Sequence, residues 1–114
     1  MSKAAKSLLM LSCLALSGCD SAGSGGADSN LECAALISAA DVLVRGGTAE
    51  KDPVLAKRAL GSSMLYLNAY AIPKRIKEAE AFEQLTSLRA TLIEQHSPVE
   101  IMGRARRCAD RQPR

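Results

Sequence analysis

Apolar residues recur along this chain at steps of three and four, and the pattern resolves into four helical segments separated by glycine and proline signals. The first runs through Leu31, Cys33, Leu36, Ile37, Val42 and Leu43, with Ser29 or Asn30 in capping position and Gly46-Gly47 as its stop. Apolar positions occupy most of its circumference, with Glu32, Ser38 and Asp41 as exceptions, so this helix is expected to lie largely buried between the others.

Asp52-Pro53 opens the second segment, the aspartate as cap and the proline at the first helical position. Ala56, Leu60, Met64, Leu67 and Ala71 mark its expected inner stripe, widened by Leu55, Ala59, Tyr66 and Tyr70, while Lys57 and Arg58 fall outside it. Gly61-Ser62-Ser63 is a weak spot where a kink or the close approach of a neighbour is expected. Proline disfavours helical backbone in the residue ahead of it, so Pro73 is expected to end this helix at or just before Ile72.

The third segment, over residues 74–95, puts Phe82, Leu85, Leu88, Leu92 and Ile93 on one side. Lys74, Lys77, Glu78, Gln84, Thr91 and Glu94 lie mainly on the other, with Lys74 and Glu78 one helical turn apart. Ser97-Pro98 repeats the cap-plus-proline signal, and Glu100 stands in the first turn where the helix dipole favours negative charge. In this last segment Ile101, Ala105 and Cys108 share one face and Arg104, Arg107 and Arg111 another. No run alternates with a period of two, so the expected fold is all-α, a small compact bundle of about four helices.

Residues 1–30 follow a different pattern. Lys3 and Lys6 precede an apolar run over residues 8–16, then comes Leu16-Ser17-Gly18-Cys19, and after it a stretch rich in glycine and serine. The apolar run is far shorter than the roughly 20 residues a membrane span needs. An ordinary secretory signal and an apolar start of a cytosolic protein are the other readings of such a leader, and the cysteine directly after Leu-Ser-Gly separates them from a third. Leu16-Ser17-Gly18-Cys19 resembles the lipobox of bacterial lipoproteins. That resemblance implies a signal peptide over residues 1–18, acylation of the Cys19 thiol and cleavage before it. Acyl chains at roughly 0.8 kcal/mol per buried methylene would then hold the protein to a membrane. Residues 19–30 are expected to form a flexible tether reaching about 20 Å, so that a single domain over residues 31–114 stays near the bilayer. Asp20 directly follows the cysteine, the position where aspartate retains lipoproteins of enteric bacteria in the inner membrane; inner and outer membrane both stay open.

Export changes how the cysteines are read. Of four, Cys13 leaves with the leader and Cys19 carries lipid, so Cys33 and Cys108 remain in an oxidising compartment and are expected to be bonded, two free buried thiols being the alternative. A staple suits a domain of about 84 residues that has one Phe, two Tyr and no Trp. The formal charge of +3 falls to about +1 once Lys3 and Lys6 leave, but Arg104, Arg106, Arg107, Arg111 and Arg114 crowd the C-terminal end against Asp110 alone. These arginines read as a solvated helix end whose dipole favours cations, or, at Arg104, Arg107 and Arg111, as a contact for anionic phospholipid headgroups. Without an aromatic platform they do not suggest nucleic acid.

Catalytic chemistry has little to draw on. His96 is the only histidine and stands at a helix end, where it is expected to meet the last carbonyls. Zinc on His96, Cys33 and Cys108 would need reduced thiols and lacks a close ligand pair. Glu78, Glu80 and Glu83 read as a solvated face, and no phosphate-binding loop motif occurs. Neither a cofactor, a metal nor a small-molecule substrate is expected. Tyr66, Tyr70 and Phe82 are expected in the core or at its rim, and an exposed tyrosine would be the best candidate for partner contact. The functional expectation is a non-enzymatic, lipid-anchored helical protein of the bacterial envelope that binds another envelope protein or serves a structural role. A small periplasmic chaperone or an immunity-type inhibitor is the alternative.

Overall fold

The computed structural model describes residues 26–113. The leader over residues 1–18, Cys13, Cys19, Asp20, the first part of the expected tether and Arg114 lie outside the described residues. Four helices follow one another: α1 (Gly26–Arg45), α2 (Pro53–Lys74), α3 (Glu78–Gln95) and α4 (Pro98–Ala109). Among the described residues there is no strand, and the fold is the expected all-α bundle. No helix among them is long and apolar enough to cross a membrane.

α1 is the central helix and packs against all three of the others. Its apolar circumference is the cause: Ala34, Ala35, Leu36, Ile37, Ala39, Ala40 and Leu43 are buried on several sides, as expected of a helix without a polar face. It begins earlier than its expected cap. Residues 26–30, assigned in sequence to the tether, form its first turn, and Asn30 is a buried residue inside the helix. Gly46-Gly47 closes it: Gly47 takes φ +77°, and the Thr48 and Ala49 amides donate to the Leu43 carbonyl.

The two Pro-marked starts form as expected. Asp52 accepts the Leu55 amide at 3.0 Å and Ser97 accepts the Glu100 amide at 3.1 Å, each ahead of a proline at the first helical position. The boundary between α2 and α3 differs from expectation. Pro73 does not end α2; it sits in the last turn, and the helix stops at Arg75, whose left-handed backbone (φ 57°) turns its amide to the Ile72 carbonyl. A proline in a last turn forfeits only one helical hydrogen bond, so the stop falls where the backbone reverses hand. α3 therefore starts at Glu78, and Lys74 reaches the Tyr70 ring at 5.6 Å from its centre, one turn back. Gly61 interrupts nothing, since α2 runs through it and no neighbour approaches the place where its Cβ would be.

The buried face of α2 is rotated from the expected stripe. Leu55, Ala59, Tyr66, Leu67, Tyr70 and Ala71 are buried, whereas Ala56, Leu60 and Met64 are exposed. Both tyrosines turn inward because their hydroxyls find acceptors there: Tyr66 donates to the Cys108 carbonyl at 2.5 Å and Tyr70 to the Gln84 side-chain oxygen. α3 lies against α1 more than against α2, which leaves the Leu60 and Met64 side of α2 uncovered.

Candidate functional site

Cys33 on α1 and Cys108 on α4 are disulfide-bonded, with Cα atoms 5.5 Å apart. Their spacing follows from the faces on which they lie. Cys33 is buried with Ala34 and Leu36, and Cys108 shares the inner face of α4 with Ile101 and Ala105. The bridge forms the floor of an open cleft of about 470 Å³ walled by Arg104 and Arg107 of α4, by Arg111, which lies just past the end of that helix and not within it as expected, and by Glu32 and Leu36 of α1.

The three arginines do not simply face water. Arg104, with a side chain 23 % exposed, pairs with Glu32 at 3.0 Å. Arg111 places one guanidinium nitrogen 3.1 Å from the Cys33 sulfur and 3.6 Å from the Cys108 sulfur. Arg107 is exposed, and among the described residues no carboxylate pairs with it. Asp110 also borders the cleft, but its carboxylate is held at 2.9 Å by Arg58 of α2. Arg106 points to another side and donates to the capping residue Asp52 at 2.6 Å. That bond, aided by the Leu55 amide, holds the Asp52 carboxyl below its usual range.

A second surface lies between α2 and α3. Two hollows of about 480 and 220 Å³ share Met64, Leu67 and Phe82 and form one trough. Ile37, Leu67, Ala71, Ala81 and Leu85 make its apolar floor. Leu60 (79 % exposed), Ile72 (71 %), Phe82 (54 %) and Met64 (38 %) stand along its edges. Phe82, expected on the inner side of α3, is thus an exposed aromatic, while the tyrosines considered for partner contact are both in the core. The signal for this surface lay in α2 itself: Leu60, Met64 and Ile72 are apolar positions left exposed by the neighbouring helices.

His96 meets a carboxylate, Glu100, at 3.2 Å, across the turn from α3 into α4. Neither residue lines the cleft or the trough. The His96 amide donates to the Leu92 carbonyl, so the residue caps the end of α3, and its side chain braces the start of α4 through Glu100. Glu78, Glu80 and Glu83 are exposed, as a solvated face requires. Among the described residues no group of three His, Cys, Asp or Glu side chains is placed to hold a metal ion. No protein family, no curated protein and no solved structure matches this chain.

Proposed function

We propose that this chain is a non-enzymatic, lipid-anchored module of the bacterial cell envelope that receives an amphipathic helix of another envelope protein between α2 and α3. The trough is the observation that carries this reading. It gathers four large exposed apolar side chains over an apolar floor, whereas the other exposed ones, Val42, Val54, Leu65 and Val99, line neither hollow. From residue 60 to residue 72 it runs along α2 for about 18 Å, the length of some three turns of helix. Helix-in-groove recognition needs apolar anchors at steps of three, four and seven on the incoming segment. Glu78 stands at one end of the trough, exposed and with no cation paired to it among the described residues, so a lysine or arginine beside the partner's anchors fits there. The lipobox resemblance at Leu16-Ser17-Gly18-Cys19 supports the anchor, acylated Cys19, and an extracytoplasmic position.

The test is a photo-activated crosslinker placed at Leu60 in living cells, with the adduct mapped to the peptide. Adducts on an apolar, basic-flanked helix of one envelope protein, lost in Phe82→Asp, support the proposal. Adducts on a second copy of this chain contradict it. The same trough also suits a small periplasmic chaperone, since apolar clients bind open apolar surface; adducts spread over many unrelated proteins would favour that reading and overturn the first. An immunity-type inhibitor would instead give adducts on a secreted toxin.

A further inference from the structure

We infer that the cleft over the Cys33–Cys108 disulfide is a binding site for a phosphate group, carried by a phospholipid headgroup or by a soluble phosphorylated compound. This inference stands apart from the trough, since it concerns a different face and different helices. Arg104, Arg107 and Arg111 wall a hollow of about 470 Å³, large enough for a phosphate and its substituent. Three guanidiniums face two carboxylates there, and Asp110 is already held from outside by Arg58. Glu32 holds Arg104 at 3.0 Å, and a guanidinium carries five N–H donors, more than a single carboxylate takes up.

Arg111 is the more telling residue. Its guanidinium rests on the two disulfide sulfurs, and sulfur is a weak acceptor that satisfies a cation poorly. A phosphate oxygen is a far stronger acceptor, and arginine's planar fork matches it with two parallel bonds. Arg107 stands one turn ahead of Arg111 with no carboxylate paired to it among the described residues. The disulfide fixes the separation of α1 and α4 and so sets the width of the cleft before any ligand arrives. The last carbonyls of α4 carry the negative end of its dipole, so attraction comes from the side chains alone and weakens as salt is added.

The experiment uses the full chain carrying Cys19→Ala, which removes acylation as a source of lipid binding, and follows backbone and arginine side-chain resonances. In one arm inorganic phosphate is titrated at constant ionic strength. Saturable shifts confined to residues around Glu32 and 104–111 are expected, with the dissociation constant raised about tenfold in Arg111→Gln and again in Arg107→Gln. Lys57→Gln, the same loss of charge at an exposed site on α2, leaves the titration unchanged. In the second arm vesicles of phosphatidylcholine with and without phosphatidylglycerol are sedimented with the protein. Retention by phosphatidylglycerol that inorganic phosphate displaces identifies the headgroup as the source; phosphate binding without vesicle retention identifies a soluble ligand. The inference is overturned if phosphate causes no saturable shift, or if Arg107→Gln and Arg111→Gln bind as the parent does.

Discussion

The hydroxyl of Tyr66 donates to the carbonyl oxygen of Cys108 at 2.5 Å, while the sulfur of the same cysteine is bonded to Cys33. One residue therefore joins α4 to both α1 and α2. The disulfide closes a stretch of 75 residues, so in the chain-entropy picture its loss costs about 4 kcal/mol. Urea unfolding of the Cys33→Ala, Cys108→Ala double variant is expected to show a loss of that order. Tyr66→Phe is expected to cost about 1 kcal/mol, because the Cys108 carbonyl keeps the Arg111 amide as a donor. Combining the two is expected to cost less than the sum, since both changes loosen the same contact.

The pair of Asp52 and Arg106 gives stability a dependence on acid. Arg106 and the Leu55 amide lower the folded-state pKa of Asp52 below its unfolded value, so the unfolded chain binds the proton more readily. The resulting stabilisation is fully present above the ordinary carboxyl range and is lost as pH falls through the lower, folded value. Unfolding curves of Asp52→Asn are expected to lie below the parent at pH 6 and to converge with it as pH drops below about 4.

Two glycine-to-alanine changes are expected to act in opposite directions. Gly61 sits in mid-helix on an exposed face with open space where a Cβ would go, so Gly61→Ala stabilises by about 1 kcal/mol. Gly47 has equally open space but φ +77°, so Gly47→Ala destabilises by about 1 kcal/mol through the backbone alone. Thermal melts of the two variants check the sign of each.

Phe82 and Leu92 lie on the same helix but differ in what they support. Phe82 is 54 % exposed and Leu92 is 4 % exposed. Phe82→Ala is expected to change stability by less than about 0.5 kcal/mol and Leu92→Ala to cost about 2 to 5 kcal/mol. A dye that fluoresces on apolar surface is expected to bind the native protein in the trough and to lose signal in Phe82→Ala; an unchanged signal would place the dye elsewhere.

Much of the fold was legible along the chain because its punctuation is local. Asp52-Pro53, Ser97-Pro98 and Gly46-Gly47 each act within one turn, and the apolar circumference of α1 already implied a central helix. The pairing of Cys33 with Cys108 was legible from cysteine arithmetic. What was not legible depends on which helix meets which. Whether Leu60 and Phe82 are covered turns on the distance between α2 and α3, and periodicity records only that they are apolar. Likewise Arg104, Arg107 and Arg111 are spaced to share a helical face, but α4 ends at Ala109, and the nearer sulfur beneath Arg111 and the glutamate beside Arg104 come from α1. The stop at Arg75 was hidden because proline is a strong sequence signal for a helix end, whereas no sequence rule marks a left-handed arginine.

The proposed acylation of Cys19 would set the compartment in which the disulfide forms and the partners the trough can meet. Cells producing the chain are labelled with palmitate, and the protein is recovered from membrane and soluble fractions. Label in the native chain within the membrane fraction, with neither label nor membrane association in Cys19→Ala, is the predicted result. A native chain recovered from the soluble fraction with Met1 in place and no fatty acid would contradict it.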